Sequence, residues 1–293
     1  AKLPMPPTPI LNHLTEELQE PGRLLRENQT VGFPTETVYG LGGSALSDEA
    51  ISRIYTAKGR PSDNPLIVHV SSAEQLDSIV CHVPPIAKRL IAAFWPGPLT
   101  IVLRSSADPC GCPSSASPNK TSVSSRVSAG LNTVAVRMPS HPVALALIEA
   151  AQVPVAAPSA NTSGRPSPTQ ASHVATDLNG RIAAIVDGRE VTTALSGAKA
   201  LECAYGVEST VVDISHLPFD QDITLNAAGE PDTAGLPLAF VLRPGGVTLG
   251  MLAKVIGPVA MDPALLIDAE SVEDHVDADP SLGVSVEVGK STP

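Results

Sequence analysis

Two short segments near the start of the chain constrain its fold more than any other feature. Residues 30–43 read T-V-G-F-P-T-E-T-V-Y-G-L-G-G, an apolar run that ends in proline and small hydroxyl residues. Residues 57–66 read A-K-G-R-P-S-D-N-P-L and place two cations between glycine and proline. A buried strand with a polar mouth and a cationic loop is typical of an α/β protein that binds a polyanion. Because the string G-x-x-x-x-G-K-[ST] does not occur, side chains are predicted to hold the anion.

The charge of the chain is unevenly distributed. The net charge is −11 over 293 residues, and the segment from residue 262 onwards contributes −7 of it, with eight acids and one lysine. Proteins that bind long nucleic acids are usually basic, so this balance argues against such a partner. The motif loops instead carry the cations Lys58, Arg60, Arg137, Arg165 and Arg243. Cationic loops on a mildly acidic body favour a small anionic substrate.

Apolar runs alternate with helical patterns along the chain and predict an α/β sheet. The apolar fraction of 43% is ample for a buried core. Strands are predicted over residues 31–33, 66–70, 99–103, 133–137, 153–157, 184–187, 209–214 and 240–242. Helices are predicted over residues 48–55, 73–79, 85–93, 141–150, 170–178 and 248–256. Ser47 and Thr169 are the expected N-caps of two of them.

One domain is expected over residues 21–256, between an N-terminal extension (1–20) and an acidic segment (257–293). Residues 105–132 contain nine serines and three prolines, which predicts a flexible surface insertion. A second insertion is expected over residues 191–205. No apolar stretch approaches the length of a membrane span.

The cysteines do not have the spacing of a zinc site. Cys110 and Cys112 are separated by a single residue, and no histidine or second cysteine pair lies beside them. Reduced thiols are therefore expected for Cys81, Cys110, Cys112 and Cys203, rather than metal or redox chemistry.

Further motifs follow the two opening segments in a fixed order. They read F-W-P-G-P-L-T at 94–100, V-A-V-R-M-P at 134–139, A-P-S-A-N at 157–161, G-V-E-S-T-V-V-D at 206–213 and L-R-P-G at 242–245. Together the seven blocks resemble the Sua5/YrdC family of threonylcarbamoyl-AMP synthases, over about residues 24–252. The resemblance implies a single YrdC-like (DHBP synthase-like) α/β domain, with a twisted mixed open sheet flanked by helices around a concave cationic cavity. Longer family members add a linker and a second domain, so residues 257–293 are expected to be an acidic tail or a truncated linker.

The resemblance also implies a reaction. Family members condense L-threonine, bicarbonate and ATP to threonylcarbamoyl-AMP and pyrophosphate, and the product serves the threonylcarbamoyladenosine (t6A) modification of tRNA. The implied partners are tRNA or double-stranded RNA and a downstream tRNA threonylcarbamoyl transferase complex, in the cytoplasm and without a membrane. ATP is expected to bring Mg²⁺ on its phosphates. No protein-bound metal is expected, because the sequence offers no carboxylate pair or His/Cys ligand set.

Site residues follow from the motifs that match the family. The resemblance assigns catalysis to Lys58, Arg60, Ser159 and Asn161. It assigns ATP binding to Arg60, Asn64, Thr133, Ser159, Ser167 and Arg243, and L-threonine binding to Thr37, His69, Arg137, Ala157 and Ser209. Arginine offers a planar fork for phosphate oxygens and lysine a point charge, which suits the first set. Ser159 lacks the G-x-S-x-G context of a nucleophile and is interpreted as a hydrogen-bond donor.

Some readings stay open at this point. Glu36 and Tyr39 are expected to shape the mouth of the site, and Arg165 is equally compatible with phosphate binding and with an exposed loop position. The chain could also be a carbamoyl-adenylate-forming maturation domain, although the accompanying acylphosphatase module and paired C-x-x-C fingers are absent from the sequence. A non-catalytic double-stranded RNA-binding module is the third alternative, which the net charge disfavours.

Overall fold

The computed structural model describes residues 6–11, 18–107, 120–188, 191–192, 199–200, 203–226, 231, 237–263 and 265. The helices in this part of the chain are α1 (Gln19–Arg26), α2 (Asp48–Lys58), α3 (Ala73–Ile79), α4 (Pro85–Phe94), α5 (Pro142–Ala151), α6 (Ala171–Leu178) and α7 (Leu249–Ile256). The strands are β1 (Ile10–Leu11), β2 (Val31–Phe33), β3 (Gly40–Ser44), β4 (Ile67–His69), β5 (Leu99–Arg104), β6 (Thr133–Arg137), β7 (Val155–Ala156), β8 (Ala184–Val186), β9 (Val191–Thr192), β10 (Lys199–Ala200), β11 (Thr210–Asp213), β12 (Ala239–Arg243) and β13 (Val259–Met261).

Most of these strands form one open sheet in the order β1-β8-β2-β3-β7-β4-β6-β5-β11-β12-β13, and β9 and β10 form a separate antiparallel pair. The sheet is mixed, because β4–β6 and β5–β11 pair in parallel whereas β5–β6 and β11–β12 are antiparallel. One apolar cluster joins the sheet to α2, α3, α4 and α7, and a second joins it to α1 and α5. The predicted mixed α/β sheet flanked by helices is confirmed.

Of the two predicted N-caps, Ser47 is confirmed and Thr169 is wrong. Ser47 caps α2 by accepting a hydrogen bond from Ala50 N, and Thr248 caps α7 in the same way. The N-cap of α6 is Gln170, which makes no side-chain cap bond, so the predicted cap at Thr169 is wrong. The main-chain oxygen of Pro168 instead accepts from Tyr39 N, which keeps this segment in the loop beside β3.

The glycine-rich strand β3 was not predicted from the sequence. Glycine is disfavoured in strands unless another group approaches closely. Here a Cβ on Gly42 would lie 2.9 Å from side-chain atoms of both Phe33 and Val155, and one on Gly43 would lie 3.1 Å from Ile54. The glycines therefore allow α2 and two neighbouring strands to pack directly on the backbone of β3.

Both ends of the domain extend beyond the predicted boundaries. In the expected extension, β1 pairs with β8 in parallel, and Leu18 is buried beside Leu25 in the second apolar cluster. In the expected acidic segment, β13 pairs in parallel with β12. These described parts belong to the fold of the domain. Residues 1–5, 12–17, 264 and 266–293 lie outside the described residues.

The serine-rich segment was predicted to be a flexible surface insertion, and this is wrong for residues 120–132. Val123 and Val127 are buried in the main apolar cluster. Main-chain hydrogen bonds join Leu66 N to the oxygen of Val127 and Ser124 N to the oxygen of Ala45. Two valines four residues apart are enough to anchor a segment whose serines bond to the backbone. Residues 108–119 lie outside the described residues, as do 189–190, 193–198 and 201–202 around the second expected insertion.

The cysteines differ from expectation at one position. Cys81 is disulfide-bonded, whereas Cys203 is a buried thiol. Disulfide formation depends on the distance between cysteines in space, which spacing along the chain does not show. Cys110 and Cys112 lie outside the described residues. Among the residues that the structure describes, no helix is both long and apolar enough to cross a membrane.

Candidate active site

A cavity of about 350 Å³ lies against the middle strands of the sheet. Its walls come from β4, β5, β6, β11 and β12, from the loops after β2 and β7, and from the segment before β6. The predicted site residues that line it are Thr37, Arg60, Asn64, His69, Thr133, Arg137, Ala157, Ser159, Ser209 and Arg243. Lys58, Asn161 and Ser167 are not lining residues. Lys58 and Ser167 form hydrogen bonds with the lining residues Ser159 and Glu208, and Asn161 accepts hydrogen bonds from Lys58.

The floor of this cavity consists of two rows of residues that lie in register on adjacent strands. His69 of β4 lies opposite Arg137 of β6 in the first row. The second row consists of residues in register on four adjacent strands, namely Ile67, Ala135, Val102 and Asp213. Because side chains two residues apart on a strand point to the same face, both rows face the cavity. One row is polar, and the other is aliphatic with a carboxylate at its end.

A β-bulge between β11 and β12 brings an arginine into the site. Val211 pairs with Arg243, whereas the next residue, Val212, pairs with Val241, so that Leu242 is an extra residue on β12. Regular alternation would turn consecutive residues to opposite faces, and bulges redirect side chains. As a result Leu242 and Arg243 both line the cavity.

Arg137 is held in a fixed orientation at the end of β6. Its Nη2 donates to Oε1 of Glu36 at 2.6 Å, its Nη1 to the hydroxyl of Thr37 at 2.9 Å, and its Nε to the oxygen of Gly97 at 3.2 Å. Arg137 is 4% exposed, and Glu36 is 5% exposed. Arginine has five N–H donors, so these bonds leave one on each terminal nitrogen. That pair can form a bidentate contact with a carboxylate.

Neutral hydrogen-bonding groups surround this arginine. Burial, together with the Arg137 guanidinium, lowers the pKa of His69 to about 3, so its imidazole is neutral at physiological pH. The hydroxyl of Thr35 lies 2.9 Å from that of Thr37, which orients the latter. The hydroxyl of Ser209 lies 2.8 Å from that of Thr100 on the neighbouring strand. We refer to Thr37, His69, Arg137 and Ser209 as the polar niche.

Lys58 closes α2 and is almost fully buried, with 2% of its surface exposed. Its Nζ donates to the main-chain oxygens of Ser159 and of Asn161, the latter at 2.6 Å, and also approaches Oδ1 of Asn161 at 3.3 Å. Burial, with a smaller contribution from Arg60, lowers the pKa of Lys58 to about 8. Lys58 thus holds the loop after β7 from behind, rather than reaching freely into the cavity.

Gly59 directs the chain from Lys58 to Arg60. It has a φ of 62°, a left-handed conformation that ends α2 and that glycine adopts without strain. Arg60 lines the cavity and donates one hydrogen bond, from Nη2 to the oxygen of Pro65 at 3.3 Å. Burial lowers the pKa of its guanidinium from the usual value.

Glu208 is a cavity residue that the sequence analysis did not identify. Its Oε2 pairs with Nη1 of Arg243, and its Oε1 accepts from the hydroxyl of Ser167 at 3.2 Å. Arg243 also donates from Nε and Nη2 to the main-chain oxygen of Ser209, at 3.1 and 2.9 Å. Glu208 stands within the G-V-E-S-T motif, next to Ser209, which was the available signal.

Two remaining expectations concern residues outside the cavity wall. Arg165 forms an ion pair with Asp177 at 2.6 Å, its side chain is 57% exposed, and it does not line the cavity, which favours the exposed loop position. Glu36 lies behind the polar niche, where its Oε2 is buried without a hydrogen-bond partner in the described part of the chain. Among the described residues, no group of three His, Cys, Asp or Glu side chains could by itself hold a metal ion.

Comparisons with known proteins agree with this geometry. The Sua5/YciO/YrdC family model, described as "Telomere recombination", matches residues 23–222. The threonylcarbamoyl-AMP synthase of Bacillus subtilis is 47% identical over 249 residues, which cover 85% of this chain and 59% of that protein. The Pyrococcus abyssi protein of the same name is 44% identical over 241 residues, which cover 82% of this chain and 57% of that protein. The chain thus spans somewhat more than half the length of these relatives.

Solved structures show the same architecture. The crystal structure of P. abyssi Sua5 complexed with L-threonine superposes with a TM-score of 0.70 at 41% identity, covering 88% of this chain and 64% of that chain. Escherichia coli YciO, at 19% identity and a TM-score of 0.52, covering 69% of this chain and 85% of its own, shares the fold. By sequence and by structure, this chain belongs to the Sua5/YciO/YrdC family.

Proposed function

We propose that this chain is an L-threonylcarbamoyladenylate synthase, which condenses L-threonine, bicarbonate and ATP to threonylcarbamoyl-AMP, pyrophosphate and water. One observation carries the proposal: the polar niche and the guanidinium groups of Arg60 and Arg243 line a single cavity. The names of its relatives and the threonine complex of P. abyssi Sua5 support the same substrates.

In this proposal the polar niche binds L-threonine. The two remaining N–H groups of Arg137 donate hydrogen bonds to the carboxylate as a bidentate pair. The neutral imidazole of His69 and the hydroxyl of Thr37 bind the remaining polar groups without adding positive charge, so they do not repel the amine. The buried Glu36 holds the guanidinium in place through a 2.6 Å ion pair. Ala157 and Ser209 complete the contacts, the former through its backbone.

The cationic part of the cavity binds the triphosphate in this proposal. Burial lowers the pKa of Arg243, and the guanidinium of Arg60 contributes to this shift, so the two cations are close enough to interact electrostatically. Both line the same cavity as Ser159, whose main-chain oxygen accepts a hydrogen bond from Lys58. Asn64, Thr133 and Ser167 add polar contacts to the nucleotide.

The chemistry then needs two displacement steps. The threonine nitrogen attacks the carbon of bicarbonate and displaces water, which forms a carbamate. If bicarbonate first takes up a proton and loses water to give carbon dioxide, the nitrogen adds to that carbon and releases a proton. A carbamate oxygen attacks the α-phosphorus of ATP, the bond to the bridging oxygen breaks, and pyrophosphate leaves with the electron pair. Fixed cations and correct alignment supply most of the rate enhancement in such transfers.

Mg²⁺ is proposed to enter with the ATP phosphates, which are its usual ligands. We propose that the product passes to a tRNA threonylcarbamoyl transferase complex for t6A synthesis. ATP, bicarbonate and tRNA are all cytoplasmic, and the proposal places the reaction there.

The proposal is tested with purified protein, ATP, Mg²⁺, bicarbonate and L-threonine, by measuring pyrophosphate release. We expect release that requires both threonine and bicarbonate, and a product whose mass is that of threonylcarbamoyl-AMP. Release that depends on carbamoyl phosphate instead would favour the maturation-domain alternative. No release, together with measurable affinity for double-stranded RNA, would favour the binding-module alternative.

A further inference from the structure

One carboxylate in the cavity has no role in the proposed chemistry. Asp213 ends β11 and lines the cavity at the end of the aliphatic row, in register with Val102. Its Oδ1 accepts a hydrogen bond from Ser215 N at 2.8 Å, which fixes the carboxyl group. An anion here needs an explanation, because Glu208, the other lining carboxylate among the described residues, is paired with Arg243, whereas Asp213 forms no such ion pair there.

The charge of Asp213 limits what it can contact. A phosphate or a carboxylate would be repelled by it, so its partner is a hydrogen-bond donor or a cation, and the cation of the proposed function, Mg²⁺, is held by the phosphates. The amine and hydroxyl of threonine are donors, but the polar niche that suits them lies in the other row of the floor. On a nucleotide, the remaining donors are the exocyclic amino group of the base and the ribose hydroxyls.

The aliphatic row indicates which of these donors approaches. Ile67, Ala135, Val102 and Asp213 occupy four adjacent strands, and three strand spacings of about 4.8 Å give a row about 14 Å long. Small aliphatic side chains in a row form a flat platform that matches the face of a purine. A carboxylate that stands at the end of this platform meets the edge of the ring, where the exocyclic amino group lies.

We propose that Asp213 selects adenine over guanine by accepting a hydrogen bond from the 6-amino group, which makes it a specificity-determining residue. This inference rests on the proposed function, because it assumes that a nucleotide occupies the cavity. Guanine has an oxygen at the same position, and two acceptors would face each other. A site built around a hydrogen bond rejects an analogue that lacks the donor more strongly than an apolar site does.

The bond to Ser215 does not by itself explain an aspartate at this position. Asparagine makes the same turn contact through its side-chain oxygen. The Asp213→Asn variant therefore keeps the turn, removes the negative charge and adds an amide donor that suits the 6-oxo group of guanine. Asp220→Asn is the matched control, since Asp220 is exposed, lies in the following loop and does not line the cavity.

The test is isothermal titration of the wild type and both variants with non-hydrolysable analogues of ATP and GTP, with thermal unfolding as a check on folding. The wild type is expected to prefer the ATP analogue by about tenfold or more, a difference typical of one hydrogen bond at a buried site. Asp213→Asn is expected to shift the ratio of the two affinities by about tenfold towards the GTP analogue. Asp220→Asn is expected to leave this ratio unchanged.

Other outcomes overturn the inference. It fails if the wild type binds the ATP and GTP analogues equally well, or if Asp213→Asn weakens the binding of both analogues equally. It also fails if the variant changes only the ratio of the affinities for the ATP analogue and for its 2′- or 3′-deoxy form. That result would show that Asp213 contacts the ribose. Selective ATP binding without threonine-dependent pyrophosphate release would contradict the proposed function and leave this inference standing. Binding of neither nucleotide would contradict both.

Discussion

Nζ of Lys58 donates a hydrogen bond of 2.6 Å to the main-chain oxygen of Asn161, a residue 103 positions further along the chain. The same nitrogen also donates to the main-chain oxygen of Ser159. The end of α2 and the loop after β7 are therefore joined at one buried cation. The K-x-R and S-x-N motifs are therefore connected in the structure, because Lys58 of the first bonds to the backbone of the second.

Replacement of Lys58 by methionine is expected to affect both stability and turnover. Two buried main-chain oxygens would lose their partner, which costs about 1–3 kcal/mol of the free energy of unfolding. Turnover is expected to fall by about tenfold or more, because the loop that carries Ser159 is no longer held. Urea unfolding and pyrophosphate release measure the two effects. The control is Lys88→Met on the exposed face of α4, and its free energy of unfolding is expected to stay within about 0.5 kcal/mol of that of the wild type.

Arg60 is expected to behave differently from its neighbour. Its side chain makes one long hydrogen bond, to Pro65, and otherwise faces the cavity. Arg60→Ala should therefore raise KM for ATP by about tenfold or more while the midpoint of urea unfolding stays close to that of the wild type. Arg60→Lys keeps the charge but loses the planar fork, so only partial recovery is expected. An Arg60→Ala enzyme with unchanged KM and kcat would rule out a phosphate contact.

The lowered pKa of Lys58 predicts a pH dependence of stability. An unfolded lysine has a pKa of about 10.4, whereas burial lowers that of Lys58 to about 8. Between these values the unfolded chain retains a proton that the folded chain has released, so the contribution of Lys58 to stability increases as pH rises through this window. Below about pH 8 the burial of the charged form opposes folding in full. Urea midpoints of the wild type minus those of Lys58→Met, measured from pH 7 to 10, should show this increase.

Activity is expected to respond to the same proton with the opposite sign. Loss of the charge above about pH 8 weakens the hydrogen bonds by which Lys58 holds the loop that carries Ser159, so kcat/KM for ATP should fall on the alkaline side. In Lys58→Arg the charge persists at every pH in the range, and the alkaline decrease should disappear from whatever activity remains. An identical alkaline decrease in this variant would assign it to another group.

The sequence predicts the local parts of this structure well and the long-range parts poorly. Capped amphipathic helices such as α2 follow from spacing and from Ser47 within a few residues. The strand β3 and the helix α1 do not, because their glycines look like turn signals; Gly22, for instance, allows α1 to approach within van der Waals contact of Ala150. The formation of these two elements depends on packing between residues that lie far apart in sequence.

The same distinction applies to the site. Residues within recognisable motifs, such as Arg60 and Ser159, could be assigned to one cavity in advance. Glu208 also lies in a recognisable motif, but its role was not predicted, because that role arises from simultaneous contacts with Ser167 and Arg243, which lie 41 and 35 residues away. The contribution of Val127 to the cavity wall was not predicted, because its segment contains nine serines and its two buried valines do not form an apolar run.

Glu36→Gln is expected to impair the binding of threonine more than that of ATP. The neutral amide cannot neutralise the buried guanidinium of Arg137, and loss of one partner of a buried ion pair costs about 3–5 kcal/mol. An incorrectly held Arg137 should raise KM for L-threonine by about tenfold, with KM for ATP little changed. Glu149→Gln, on the exposed side of α5, is the control. Equal increases in both KM values would show that Glu36 stabilises the whole cavity rather than the polar niche.

The close packing of β3 can be tested with a pair of glycine substitutions of opposite sign. A Cβ on Gly42 would lie 2.9 Å from both Phe33 and Val155, and these core side chains cannot move without disturbing their neighbours. Gly42→Ala is therefore expected to lower the free energy of unfolding by about 1–3 kcal/mol. At Gly250, in the first turn of α7, the nearest group to a new Cβ is the hydroxyl of Thr248 at 4.0 Å. Gly250→Ala should raise the free energy of unfolding by about 0.4–1 kcal/mol, because alanine restricts the unfolded chain. If urea unfolding shows both variants to be equally stable, β3 is not packed as tightly as its contacts indicate.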